Sequence, residues 1–221
     1  MVQRETALAI VNPSAALTLA YRGTGSSALP QPVRVLTVIP SHDQYVFAVK
    51  APIGLRTLEE IAARRLPLRI GLRGQRDHYL HVMLDHVLAA AGFGLADVRA
   101  WGGSVRYADL APPRPGSERF DALLRDELDA IFDEGASGWL GAALDAGMSA
   151  LGVTEPTLRT LERMGYRRAT LARRAFPGLA DDVVTLDFSG CPANARFSVN
   201  LGYMSNDGAS GGLVQLVNQV Q

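Results

Sequence analysis

An α/β fold, with a mainly parallel sheet and helices on both faces, is what this sequence predicts, and three observations predict it. Short runs that are apolar at nearly every position recur along the chain, as strands buried on both faces require. Several of these runs lead through a turn of Gly, Pro, Asn or Asp into a segment whose apolar residues have helical spacing. The 221 residues are 48% hydrophobic and 20% charged, enough for a substantial core beneath a solvated surface.

From the N-terminus, Leu8 to Val11 is uniformly apolar and reads as a buried strand, and Asn12-Pro13-Ser14 then starts a helix. Proline costs nothing in a first helical turn, and Asn or Ser beside it can cap free backbone N–H groups. Gly23 to Pro32 is a loop, and Val33–Ile39 and Tyr45–Val49 are strands separated by Pro40-Ser41-His42-Asp43. Thr57 to Arg65 reads as a helix, with Thr57 and Glu60 at capping-box spacing. Leu68–Leu72 is a strand ending at Arg73-Gly74-Gln75-Arg76-Asp77, and an amphipathic helix runs on to about Ala91, stopped by Gly92. Val98–Trp101 reads as a short strand, Ala111–Gly116 as a proline-rich loop and Arg119–Glu127 as a helix. The strand Leu128–Phe132 then ends at Asp133-Glu134-Gly135. Helices at Ser137–Met148 and Pro156–Met164 and strands at Arg168–Ala172 and Val183–Phe188 complete the series, with no repeat at solenoid spacing.

Composition removes several function classes. Twenty-two basic residues balance 22 acidic ones, so no overall field draws in nucleic acid or an anionic membrane. The lone cysteine, Cys191, has no partner for an internal disulfide. No apolar segment approaches bilayer-spanning length, so no direct membrane insertion is expected. No basic n-region followed by an apolar h-region stands at the N-terminus, because Arg4 and Glu5 precede only a short strand-like run, so the chain as written reads as cytoplasmic.

Candidate ligand contacts lie in the turns at the carboxyl ends of strands, where open α/β sheets bind ligands. Asn12 and Ser14 occupy the first such turn, although capping a helix would also account for them. Gly74, Gln75, Arg76, Asp77 and His78 occupy another, where helix amides attract an anion and Arg76 adds a clamp for a carboxylate. Asp77 either contributes to that site or only caps the helix. Asp133 and Glu134 close a third strand as a carboxylate pair, suited to an ammonium group or to acid–base chemistry. His78, His81 and Asp85 share a helical stripe at i, i+3 and i+7, which suits a metal or simply a polar helix face, and the polar face is preferred. "GTGSSA", Gly23 to Ala28, has the letters of a dinucleotide fingerprint but follows a helix and precedes prolines, so no cofactor is expected there. Together the three turns suit an amino acid or other small organic acid.

The order of these motifs resembles the TAXI-type solute-binding proteins of TRAP transporters, within the type 2 periplasmic-binding fold. The matching pieces are "LAIVNPSAALTLAYRGTG", "PVRVLTVIPSHDQYVFAVKAPIGLRTLEEI", "LRIGLRGQRDHYLHVMLDHVLAAAGF", "LLRDELDAIFDEG" and "FPGLADDVVTLDFSG", which span about Leu8 to Gly190. The resemblance implies two α/β lobes, 1–49 with 183–221 returning to it and 50–182, joined by crossing strands of which "YVFAVK" is one. It places the ligand loop on Gly74 to His78, implies a small organic acid or amino acid held between the lobes, and implies membrane permease subunits as partners in a periplasmic setting. Family members carry a signal peptide and a strand-helix-strand section ahead of the point matching Leu8. The resemblance therefore implies an incomplete first lobe, thinner than the second and with an apolar patch beside its first strand. Two other functions suit the same fold: an enzyme of decarboxylase-like or thiamin-precursor type using Asp133, Glu134 and the histidines, and a cytoplasmic ligand-sensing domain.

Overall fold

Helix α1 (Ser14–Arg22) buries Ala15 and Leu19 and ends at Gly23, whose φ of 65° lies in the region that glycine alone enters without strain. There the Thr24 amide donates to the Leu19 carbonyl at 3.0 Å. A side chain at Gly23 would also collide with Pro30, since its Cβ would lie 2.2 Å from the Pro30 nitrogen. The glycine of "GTG" thus terminates a helix. The computed structural model describes residue 11, residues 14–25, 28–35 and 44–187, and the backbone of 198–201 and 214–217. The expected strands Leu8–Val11 and Val33–Ile39 and the candidate contact Asn12 lie wholly or largely outside the described residues, as does the side chain of Ser14. So does the patch expected beside the first strand.

The chain divides into two units, Met1–Ser41 with Ser189–Gln221, and His42–Phe188. The second unit therefore contains both the "YVFAVK" strand and the Val183 strand, segments that the resemblance grouped with the first lobe.

That second unit begins with β1 (Val46–Lys50), a single 3-10 turn at Ala51–Ile53 and α2 (Glu59–Arg64), followed by β2 (Arg69–Arg73), α3 (Tyr79–Ala90), α4 (Leu95–Ala100) and β3 (Ser104–Ala108). It continues through α5 (Glu118–Leu124), β4 (Ala130–Asp133), α6 (Ala136–Asp145), β5 (Met148–Leu151) and α7 (Glu155–Met164). A hairpin of β6 (Arg167–Leu171) and β7 (Val183–Asp187) closes it. Outside this unit, β8 (Ser198–Leu201) pairs antiparallel with β9 (Val214–Val217).

Five strands form one sheet in the order β3-β2-β4-β1-β5. The protein is therefore α/β, with a five-stranded mixed sheet flanked by helices plus a small hairpin. The pairs β2–β3 and β2–β4 are parallel, whereas β1 runs antiparallel to both β4 and β5. The expected mainly parallel sheet is therefore a mixed one, with two parallel and two antiparallel pairings and the reversed strand in its interior. That strand arrives from outside the strand–helix–strand series, so the handedness rule for parallel crossovers does not govern it. Its register sets Val46 opposite Asp133, which brings the incoming chain to the carboxyl ends of β2 and β4.

On one side, α5 and α6 share a core with β1 and β4, in which Phe120, Leu123, Trp139 and Leu140 pack with Val46, Ala48 and Ile131. The helix α3 packs against α7 and buries Met83, Leu84, Val87 and Leu88. Glu59 on α2 fastens α7 from outside: its Oε1 accepts the Thr154 amide at 3.0 Å, the Thr154 hydroxyl at 2.7 Å and the Thr157 hydroxyl. Burial works to raise the Glu59 pKa, and these donors outweigh it, holding the carboxyl below its ordinary range.

Three expectations from the sequence are corrected. Val98 belongs to α4, not to a strand; Gly94 supplies the extended cap, and its amide donates to Asp97 Oδ2 at 2.7 Å. The strand of that region is β3, where Ser104 and Arg106 dilute the apolar pattern as befits a sheet edge. Met148 does not extend α6 but opens β5, because Gly147 at φ 83° ends the helical chain. Thr57 makes no capping box: its backbone bridges Gly152, leaving Leu58 as cap, and Glu60 accepts the Arg56 amide at 3.3 Å.

Gly103, at the start of β3, has no room for a methyl group, since a Cβ there would stand 2.5 Å from the Leu68 carbonyl oxygen and 2.8 Å from the Pro67 carbonyl carbon. Backbone atoms cannot yield as a flexible side chain would. Gly103→Ala is expected to cost about 1–3 kcal/mol in urea unfolding. A loss below about 0.5 kcal/mol would show that the β2–β3 junction adjusts freely.

Candidate functional site

β2 and β4 each end in a charged residue at a buried position, Arg73 and Asp133. Burying such groups is tolerated only when each charge is paired and hydrogen-bonded. Asp133 is wholly buried, and both its oxygens are engaged: Oδ1 accepts from the Arg73 guanidinium and from the Glu134 amide at 2.9 Å, and Oδ2 accepts from Arg119 Nη1 at 2.7 Å. Arg119 comes from the first turn of α5 and is itself wholly buried. It donates through Nη2 to the Ala111 carbonyl at 2.5 Å and through Nε to Asp109 Oδ2 at 3.3 Å. Asp109 also accepts the Glu118 and Arg119 amides, so it caps α5 as well. Burial works to raise its pKa, and the Arg119 and Glu118 amides with the Arg119 charge bring it below the ordinary value.

Glu134 stands 2.9 Å from Arg73 Nη1 through its Oε1, and His78 Nε2 lies 3.6 Å from the same oxygen. Burial opposes the Arg73 charge, but Asp133 and Glu134 outweigh it and hold the guanidinium above its ordinary pKa. Arg73 Nε is buried and makes no hydrogen bond among the described residues. His78 is the cap of α3: its Nδ1 accepts the Leu80 amide at 3.2 Å, and its Nε2 lies 3.1 Å from Arg73 Nη1. Burial first, and then the Arg73 charge, push its pKa below the ordinary value.

The sequence-predicted residues thus separate into two groups. Asp133, Glu134 and His78 meet in the ion network, joined by Arg73 and Arg119, which had no assigned role. Two guanidinium groups against three carboxylates leave the network with one net negative charge, so it has no spare cation to offer an anion. Gln75, Arg76 and Asp77 stand exposed on the turn before α3. Gly74 ties that turn to the end of β3, its amide donating to the Asp109 carbonyl at 2.7 Å. A Cβ at Gly74 would press against that same oxygen at 3.1 Å. Asp77 does not cap α3, because the His78 ring takes the position. Arg76 lies over the Tyr107 ring, its guanidinium carbon 3.7 Å from the ring centroid.

The histidine stripe does not form. His78 is extended at the cap, while His81 Nε2 donates to the Gln75 carbonyl at 2.9 Å and packs beside Tyr107. Among the described residues no group of three His, Cys, Asp or Glu is placed to hold a metal ion. His86 turns away, with Nδ1 2.6 Å from the Tyr166 hydroxyl. No helix among the described residues is long and apolar enough to cross a membrane. In comparisons with known proteins, the sequence matches no family model and no curated protein.

The sequence carried signals for the two arginines. Arg119 sits with Ala122 and Leu123 on the apolar stripe of α5, and Arg73 follows the apolar run Ile70–Leu72 of β2; a charge at a buried position of the pattern implies a buried partner.

Replacing Asp133 by Asn removes the charge shared by two buried guanidinium groups. A loss of about 3–5 kcal/mol is expected in chemical denaturation of Asp133→Asn, because breaking one member strands the others. A loss under about 1 kcal/mol would mean that water reaches the network freely.

A pH dependence follows from His78 and His86, whose pKa values burial lowers from 6.5, with the Arg73 charge and that of His81 adding to the effect at His78. Asp133 and Asp77 act the other way on His78, as does Asp85 on His86, without reversing the shifts. Below 6.5 the unfolded chain binds more protons at these sites than the folded one, so their stabilisation is complete above that pH and is lost as pH falls through the folded values. The melting temperature should begin to drop just below this point, and a His78→Asn/His86→Gln variant should show a flatter profile. An identical profile in the variant would assign the drop to other groups.

Proposed function

We propose that the chain is the solute-binding component of a TRAP-type transport system, taking a small organic acid or amino acid and delivering it to membrane permease subunits. The observation that carries this is how the five-stranded unit is joined to the chain. Its incoming and outgoing segments run side by side: Gln44 bridges Asp187 antiparallel, the Tyr45 amide donates to the Leu186 carbonyl at 3.2 Å, and the Thr185 hydroxyl donates to the Tyr45 carbonyl at 2.9 Å. Two paired tethers at one place are the connection a hinge requires, since a few residues there can absorb the rotation of a whole unit. The reversed strand β1 is what a crossing segment becomes on joining a sheet otherwise built from parallel crossovers. The turn after β2, at the carboxyl edge of the sheet, presents Gln75, Arg76 and Asp77 to solvent, with Arg76 as the cation outside the ion network.

An enzyme on the same fold would draw on Asp133 and Glu134 as acid and base. Here Asp133 is enclosed by donors and Glu134 is held against Arg73, an arrangement that fixes geometry rather than moving protons. A thermal-shift panel of small carboxylates and amino acids on the full chain, followed by calorimetry, tests the proposal. At least one member should bind, and Arg76→Ala should weaken it by about tenfold or more. Absence of binding by every member at millimolar concentration, or conversion of a bound member to product as followed by NMR, would overturn it.

A further inference from the structure

Beside Arg76 a hollow of about 290 Å³ opens among α3, the start of α4 and the end of β3. Arg76 and Tyr107 supply one part of its lining, His81 and Asp85 another, and Val82, Leu84 and Leu95 the apolar remainder. The Tyr107 ring holds the Arg76 guanidinium over its face, and no hydrogen bond or ion pair occupies its N–H groups among the described residues. A guanidinium so oriented, with its N–H edge unused, is prepared for a carboxylate. Asp85, one helical turn beyond His81, likewise makes no hydrogen bond or ion pair among the described residues. The His81 ring is fixed through its Nε2–H on the Gln75 carbonyl, which leaves Nδ1 as an acceptor. The hollow therefore presents an unpaired cation, an unpaired anion and an apolar surface within one small volume.

We infer that this hollow binds the zwitterion of an amino acid with an apolar side chain, the carboxylate on Arg76, the ammonium on Asp85 and the side chain against Val82 and Leu95. The inference rests on the solute-binding proposal and adds the class of solute to it. An acidic side chain is disfavoured, because a second carboxylate would meet either Asp85 or the apolar lining, where it has no partner. A dicarboxylate meets the same obstacle. An amine without a carboxylate would leave Arg76 unanswered.

Calorimetry on the full chain with leucine, valine, phenylalanine, glutamate, leucinamide and isocaproate tests this directly. At least one of the three apolar amino acids should bind, and glutamate should bind more weakly. Leucinamide, lacking the carboxylate, and isocaproate, lacking the ammonium, should each bind about tenfold or more weakly than leucine. Asp85→Asn should weaken leucine by a similar factor while leaving isocaproate unchanged, a split that general loss of structure would not produce. Glutamate binding in preference to all three, or an apolar amino acid whose affinity Asp85→Asn leaves unaltered, would overturn the solute class and leave the solute-binding proposal standing. Binding by none of the three would also overturn the class, and the broader panel above then decides whether the solute-binding proposal falls with it.

Discussion

Asp133 carries no exposed surface, yet its carboxylate is the point at which three separate loops are tied. Through Arg73 it holds the end of β2, through Arg119 the start of α5, and through Arg119 and Asp109 the stretch after β3. Moving such charges out of water costs several kcal/mol for each ion, and their mutual attraction repays this only when the remaining donors and acceptors are satisfied. The network meets that condition with backbone groups as well as side chains: the Glu134 amide, the Ala111 carbonyl and the amides at the start of α5. Its effect is positional. Apolar packing alone would let the loops at the carboxyl edge slide, whereas directed charge-assisted bonds fix where the turn bearing Gln75, Arg76 and Asp77 leaves the sheet.

Much of this was legible in the sequence and some was not, for reasons traceable to particular residues. The strand cores of β1, β2 and β4 and the helices α3 and α7 announced themselves through apolar runs and helical spacing, because a buried position tolerates few residue types. β3 was hidden because an edge strand keeps only part of its surface buried, and Arg106 is free to reach Glu118 and Glu127 at 2.7 Å each. β5 was hidden because "MSAL" follows a helical segment with only Gly147 as the break. Strand direction was not legible at all: Val46–Lys50 has the composition of a buried parallel strand, and its reversal depends on where the chain comes from.

The candidate site shows the same division. Asp133 and Glu134 stand out at a strand end, but sequence spacing gives no account of whether two carboxylates face a ligand or each other's counter-ions. That depends on Arg119, brought in by a crossover helix, and on Arg73, sixty residues away along the chain from Asp133. Arg76 was visible as a cation on a turn, but its contact with Tyr107 joins residues from different elements and needed the fold. The sequence places His78 in the ligand loop, and its cap role needs the extended backbone before α3.

The bridge between Gln44 and Asp187 has a consequence for how such a chain can be assembled. Because the entry and exit strands of the five-stranded unit are hydrogen-bonded to each other, its two ends are held together by contacts inside the unit itself. The unit is one contiguous stretch of sequence, His42–Phe188, that closes on itself and carries its own charged cluster and its own apolar core.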